Sequence, residues 1–277
     1  MPPPSTSPSS SHRLLTYARI FLGTIVWSSA LIFGVYILLF YALSYLTGDT
    51  EQWNEVLPGL YDANSGRSTA GIAAHFLGGG IILILGCLQL LSSVRKNYPK
   101  VHRIAGQVYI IASLLAAVGG LTFIALKGTI GGTVMDVAFT GYGLLMGLAA
   151  VQTVRHARAG RYETHRAWAI RLFALAIGSW LYRMGYGFYI GFSDSSGHTA
   201  DFTGWFDYFM DFAFYLPNLV VAEIVIARHA VFKRPWMRIV GGSVLVLCGS
   251  LLLFATYFFI RELWGPGIMS AFGSERK

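Results

Sequence analysis

Histidines and arginines lying inside apolar runs carry the most chemistry in this sequence. His102-Arg103 and His165-Arg166 each open an apolar stretch, and His75 lies near the start of another. Arg183 lies about five helical turns beyond His165, roughly 27 Å at 1.5 Å per residue. An ionisable side chain inside a bilayer costs about 2.5–3.5 kcal/mol on insertion scales, so each of these is a functional candidate. Neutral imidazole is an axial ligand for haem iron, and two histidines on facing helices can clamp a porphyrin within a bundle. His102 and His165 are the pair for that role, as iron ligands of a haem b, with Arg103 and Arg166 beside them to hold the propionates. The same residues also suit a quinone or other small ligand, or plain anchoring, because His and Arg at helix starts snorkel to lipid headgroups. These three readings stay open. His75 and Arg183 form a second pair at the opposite membrane face. They suit a quinone head or an anion, or a buried His–Arg–carboxylate network that holds helices together.

The remaining titratable groups promise less. Glu223 is expected to pair with an inner-loop arginine, and Asp136 and Asp211 to favour the dipoles of outer helix starts. His198 falls in a loop, and His12, His156 and His229 in basic segments. There is no phosphate-cradling glycine loop, no HExxH, no Gly-x-Ser-x-Gly and no carboxylate pair at catalytic spacing. Cys87 and Cys248 sit in separate apolar runs, with neither a disulfide framework nor zinc spacing.

The elements that must position these residues follow from composition. Of 277 residues, 55% are hydrophobic and 12% charged, and mean hydropathy is +0.55. A soluble domain carries about 25% charged residues, so half that level excludes a soluble enzyme or secreted binding module. The aromatic content of 15% excludes disorder. The pattern predicts an all-α polytopic membrane helix bundle. About seven transmembrane helices are expected, over 20–46, 71–91, 103–126, 135–154, 166–190, 211–227 and 239–262. The Pro/Ser-rich residues 1–18 read as a disordered cytoplasmic tail, 19–264 as one membrane domain, and 265–277 as a short external tail.

Charge sorts the loops. Arg95, Lys96, Lys100 and Arg103 fall in one connection, Arg155, Arg158, Arg161 and Arg166 in a second, and Arg228, Lys233, Arg234 and Arg238 in a third. The alternate loops, 47–70 and 191–210, are acidic. The positive-inside rule puts the N-terminus and the basic loops in the cytoplasm and, for seven spans, the C-terminus outside. The net charge of +8 therefore reports contact between those loops and anionic lipid headgroups, and no nucleic acid is implied. Trp53, Trp205, Tyr208 and Trp264 suit an interfacial aromatic belt.

Spans two–three and four–five look like a duplicated helical hairpin. Gln89…Arg95, a tight turn and His102-Arg103 correspond to Gln152…Arg155, a tight turn and His165-Arg166. Repeats of this kind often place a shared site at their interface. At helical spacing, His75, Gly79, Ile82, Gly86 and Gln89 share one face, and His102, Gly106, Tyr109, Ser113 and Gly120 share another. Small residues on such faces admit a neighbouring helix or a flat ligand. His75, His102, His165 and Arg183 are expected to point into one interior.

His75, Gln89, Arg95, Pro99, His102-Arg103, Gly106 and Tyr109, followed by His165-Arg166-Ala-Trp168, Ile170-Arg171 and Arg183, together carry a resemblance. The chain resembles, over roughly residues 70–230, the bacterial predicted membrane proteins of domain of unknown function 2306. The resemblance implies a multi-pass protein of the bacterial inner membrane and supplies no activity. Three functions compete: a redox protein binding haem b or quinone between spans two to five, a small-solute transporter or channel, and a non-catalytic assembly or structural protein.

Overall fold

A computed structural model describes residues 10–227 and 234–272, and among them every regular element is helical. The principal helices are α1 (Ser10–Tyr36), α2 (Gly66–Leu90), α3 (Pro99–Lys127), α4 (Gly132–Arg158), α5 (Tyr162–Ala176), α6 (Gly178–Phe192), α7 (Trp205–Ala213), α8 (Leu216–Ile226) and α9 (Pro235–Phe259). Helix starts and stops follow local chemistry. Pro99 and Pro235 open α3 and α9, where the missing N–H costs nothing. Gly160, at φ 68°, makes the left-handed turn between α4 and α5.

Among the described residues, six segments are long and apolar enough to cross a membrane: Ser10–Thr47, Gly66–Leu90, Pro99–Lys127, Gly132–Arg158, Trp205–Ile226 and Pro235–Ser270. The span expected over 166–190 is not among them. It is a tandem of two 15-residue helices, α5 and α6, that meet at Ile177 and carry Arg166, Arg171 and Arg183. The break has a visible cause. The Ala174 carbonyl accepts a bond from Asn218 Nδ2 (3.3 Å), and the Leu175 carbonyl accepts one from the Tyr142 hydroxyl (2.9 Å). Side chains inserted into the carbonyl ladder interrupt a helix while keeping its backbone satisfied. A second break separates α7 from α8 at Phe214–Tyr215. The two breaks touch, since a β-carbon at Gly178 would lie 3.2 Å from the Phe214 carbonyl oxygen.

The small-residue faces serve helix packing. Between α2 and α3, a β-carbon on Gly78 would come 2.5 Å from the Ala112 carbonyl oxygen, and one on Gly119 would come 2.5 Å from that of Gly71. Gly34 and Gly80 also bring α1 against α2, where β-carbons would come 2.9 and 3.0 Å from each other's carbonyl oxygens. Such backbone-to-backbone contact drives helix association in lipid, where no hydrophobic force exists between helices. The outward faces carry Leu144, Leu148 and Val151 on α4 and Val240, Val244, Leu247 and Leu251 on α9, all exposed and fit for acyl chains.

Other expectations are corrected. Helix α1 already includes Ser10–Ala18, so the tail expected over 1–18 is helical from Ser10 onward; His12 and Arg13 extend the amphiphilic first turns. Residues 1–9, the loop residues Arg228, His229 and Lys233, and the terminal 273–277 lie outside the described residues. Residues 265–270 form a short helix in place of a tail. Trp53 and Trp264 are no belt residues: both are fully buried. The Trp53 indole donates to Ser44 Oγ (2.6 Å), and Trp264 packs between Phe33 and Phe259. Only Trp205 and Tyr208 are exposed as expected.

Candidate functional site

One end of the bundle gathers the last turns of α2 and α4 with the first turns of α3 and α5. Gln89 comes from α2, His102 and Tyr109 from α3, His156 from α4 and His165 from α5. Residues 91–98, which include the short helix Ser92–Asn97, join α2 to α3, and residues 159–161 join α4 to α5. His165 Nδ1 lies 2.9 Å from the Thr153 carbonyl oxygen. A carbonyl only accepts, so Nδ1 carries the proton and Nε2 is left free to accept or ligate. His165 is an electrostatic neighbour of both His102 and His156. Gln89 lies across the small face of α3, its Oε1 positioned 3.1 Å from where a β-carbon on Gly106 would be.

Four buried polar atoms of this cluster have no hydrogen-bond partner: Gln89 Nε2, His102 Nδ1, Tyr109 Oη and His156 Nδ1. Buried polar groups are almost always satisfied, so unmet ones concentrated at one end call for a missing partner such as water or a ligand. Arg103 is exposed and Arg166 half-buried. The faces where a flat macrocycle was expected are filled by side chains. Gly86 is met by the Phe173 and Tyr109 rings (3.3 and 3.4 Å from its β-position), Gly106 by Gln89 and Gly143 by Leu121. Among the described residues no three His, Cys, Asp or Glu side chains converge to hold a metal ion.

The second cluster surrounds Arg183 on α6. Its guanidinium lies 5.1 Å over the Phe33 ring, and Nη1 donates to the Ser179 carbonyl in its own helix (3.2 Å). No carboxylate pairs with it among the described residues, so the expected His–Arg–carboxylate network lacks its acid. Instead Tyr36, Tyr41, His75, Tyr142 and Tyr182 feel its charge. Tyr36 ends α1 and leads into a π-helical turn, Ile37–Ala42, that carries Tyr41. His75 Nδ1 sits 2.8 Å from the Ala116 carbonyl oxygen on α3, which again assigns the proton to Nδ1. All four residues expected in one interior are half-buried, but they divide into two clusters.

Glu223 pairs with Arg171, within α5 and not in an inner loop, in a bidentate arrangement (Nε–Oε1 2.5 Å, Nη2–Oε2 2.9 Å), and Arg171 also lies 4.7 Å over the Trp168 ring. Asp136 accepts the Thr129 backbone N–H (2.6 Å). Sequence reasoning missed a third cluster. Tyr182 and Tyr186, one turn apart on α6, meet Asp207 and Asp211, one turn apart on α7. That shared i, i+4 spacing was the available signal. In the loops, Asp62 is held below the usual carboxylate range by the Asn64 backbone N–H and by Lys127 (3.3 Å), and Asp201 by the Thr199 and Thr203 hydroxyls.

The chain matches a family described as predicted membrane protein, domain of unknown function 2306, over residues 72–226. No curated protein and no solved structure matches it.

Proposed function

The chain belongs to the predicted membrane protein family of domain of unknown function 2306, and from its own residues we propose that it binds the carbonyl head of a quinone between α2, α3, α4 and α5. One observation carries the reading: Gln89 Nε2, His102 Nδ1, Tyr109 Oη and His156 Nδ1 are buried without a hydrogen-bond partner, with Gln89 against Gly106, His102 and His156 both neighbours of His165, and Tyr109 deeper, beside Cys87 and Tyr142. Gln89 and Tyr109 supply neutral donors for the carbonyl oxygens, and His165 presents a free Nε2 opposite. A haem b ligated by His102 and His165 needs a slot that Phe173, Tyr109 and Gln89 now fill, which favours the smaller ligand. The site would sit in a bacterial inner membrane, with the N-terminus and the basic loops on the cytoplasmic side, against anionic headgroups, and, with the α5–α6 tandem as a seventh crossing beside the six apolar segments, the C-terminus outside.

Titration of the purified full-length protein with a short-chain ubiquinone, read by tryptophan quenching, tests the proposal. Saturable quenching is expected. Gln89→Leu and Tyr109→Phe should each weaken it, by about 2- to 12-fold for a lost hydrogen bond of 0.5–1.5 kcal/mol. A Soret band that disappears in His102→Ala would replace the quinone reading with the haem one. Reporter fusions in the 92–98 connection and at residue 277 should report opposite compartments.

A second reading, a small-solute transporter, is favoured by the touching breaks in the α5–α6 and α7–α8 tandems, because discontinuous helices commonly frame transport sites. Uptake by proteoliposomes that Tyr142→Phe abolishes would promote it over the first.

A further inference from the structure

Asp211, in the last turn of α7, is fully buried, and its carboxylate oxygens lack a hydrogen bond of ordinary geometry, although the Tyr182 hydroxyl lies beside them. An ionised carboxylate in that setting is uncompensated, so the group must bind something positive. The titratable groups bearing on it are Asp207 on its own helix and the Tyr182 phenol on α6. Helix α4, packed on the same side, contributes the apolar ring of Phe139, stacked edge-on to Tyr182 and Phe214. No cation pairs with Asp211 among the described residues.

Asp207, one turn earlier, is equally buried but saturated. It accepts from Tyr186 Oη (2.7 Å), from His198 Nδ1 (2.8 Å), and from the backbone N–H groups of Thr199 (3.1 Å) and Gly204 (3.0 Å). The Tyr182 hydroxyl, beside Asp211, donates to the Tyr186 hydroxyl (3.3 Å). His198 opens this chain to its loop, with 19% of its side chain exposed. The loop is built to hold it there. Gly197, at φ 84°, accepts the Phe206 N–H (3.0 Å), and Phe202 holds a left-handed φ of 57° while its ring packs on both Tyr186 and His198.

We infer that Asp211 is a proton-loading site reached from the 193–204 loop through His198, Asp207, Tyr186 and Tyr182. At rest both hydroxyls point away from Asp211, Tyr182 toward Tyr186 and Tyr186 toward Asp207, and the relay forms when both turn, Tyr182 toward Asp211 and Tyr186 toward Tyr182. The step balances. The Tyr182 O–H breaks as an Asp211 O–H forms, Tyr186 returns a proton to Tyr182, and protonated His198 replaces the Tyr186 proton through Asp207. A proton taken up from bulk solvent at the loop then restores protonated His198. A metal cation is the less suitable occupant. The carbonyls exposed by the helix breaks are taken, Ala174 and Phe214 by Asn218 and Leu175 by Tyr142. No set of three acidic, His or Cys groups surrounds the position among the described residues. The inference rests on these contacts alone and is independent of the quinone and transport readings.

Infrared pH titration of the full chain in nanodiscs tests it. The wild type should show the carbonyl stretch of a buried protonated carboxyl that vanishes on alkalinisation. Asp211→Asn should abolish that band and Asp201→Asn should keep it. Asp211→Glu, which retains the carboxyl, should shift its frequency. After a pH jump, Tyr182→Phe should slow the change at least tenfold with the same end-point. The inference is overturned by a wild type without the band, by a band that persists in Asp211→Asn or stays unshifted in Asp211→Glu, by an unchanged rate in Tyr182→Phe, or by sodium displacing the band at constant pH.

Discussion

Replacing Gly78 by alanine tests whether α2 and α3 are held backbone to backbone. The new β-carbon would lie 2.5 Å from the Ala112 carbonyl oxygen and 2.8 Å from the Ala116 nitrogen, whereas ordinary contact begins near 3.4 Å. The helices must therefore part locally by roughly 0.9 Å, an overpacking cost of about 1–3 kcal/mol. The same displacement lengthens the His75 Nδ1–Ala116 O bond from 2.8 Å to roughly 3.7 Å, beyond hydrogen-bonding range, for a further loss of about 0.5–1.5 kcal/mol. Alanine returns about 1 kcal/mol of helix propensity. The net loss is about 0.5–3.5 kcal/mol. Gly79→Ala is the internal control, because nothing lies within 4 Å of its β-position, and the propensity gain should leave it as stable as wild type or slightly more so. Both variants can be unfolded by a denaturing detergent titrated into mild micelles and followed by near-ultraviolet circular dichroism. A Gly78→Ala protein as stable as wild type, or less damaged than Gly79→Ala, would refute backbone contact between these helices.

Tyr142→Phe leaves the buried Leu175 carbonyl without its side-chain donor and should destabilise the protein by about 1–3 kcal/mol. Fast amide exchange should then appear at 174–179, and unchanged exchange there would argue that Tyr142 does not maintain the break. Asp62 has a depressed folded-state pKa, so its contribution is complete above the unfolded value of about 3.9 and disappears as pH falls through the lower folded one. Protease protection of the 57–66 loop should accordingly fall only in strong acid, and Asp62→Asn should lose that protection at neutral pH; equal protection in the variant would contradict the role given to the Asn64 and Lys127 contacts.

What the sequence revealed and what it concealed divide along physical lines. Apolar runs of the right length signal membrane helices directly, so α1 to α4 and α9 fall close to where hydropathy puts them. The break at Ile177 is invisible in its own segment, because the groups that make it, Tyr142 and Asn218, come from α4 and α8. Glycine faces were legible as close-approach surfaces, but their occupant was not: Gly78 and Gly119 meet backbone, and Gly106 and Gly86 meet Gln89 and Phe173. Polar faces likewise picked out His102, His165, Gln89 and Tyr109 as inward-facing, while the role of His156 depended on three-dimensional neighbours. Asp211 resembled a helix-start carboxylate because its position relative to the break at Phe214 follows from tertiary contacts alone.

Photolabelling with an azido-quinone addresses the ligand site most directly. The account predicts that the full-length protein in nanodiscs is labelled within 86–109 and 153–165, that excess unlabelled quinone competes the label away, and that Gln89→Leu combined with Tyr109→Phe reduces it. Label confined to the apolar groove lined by Gly187, Phe188, Phe192, Phe254 and Phe258, or label at the inner cluster that neither competitor nor variant lowers, would contradict it.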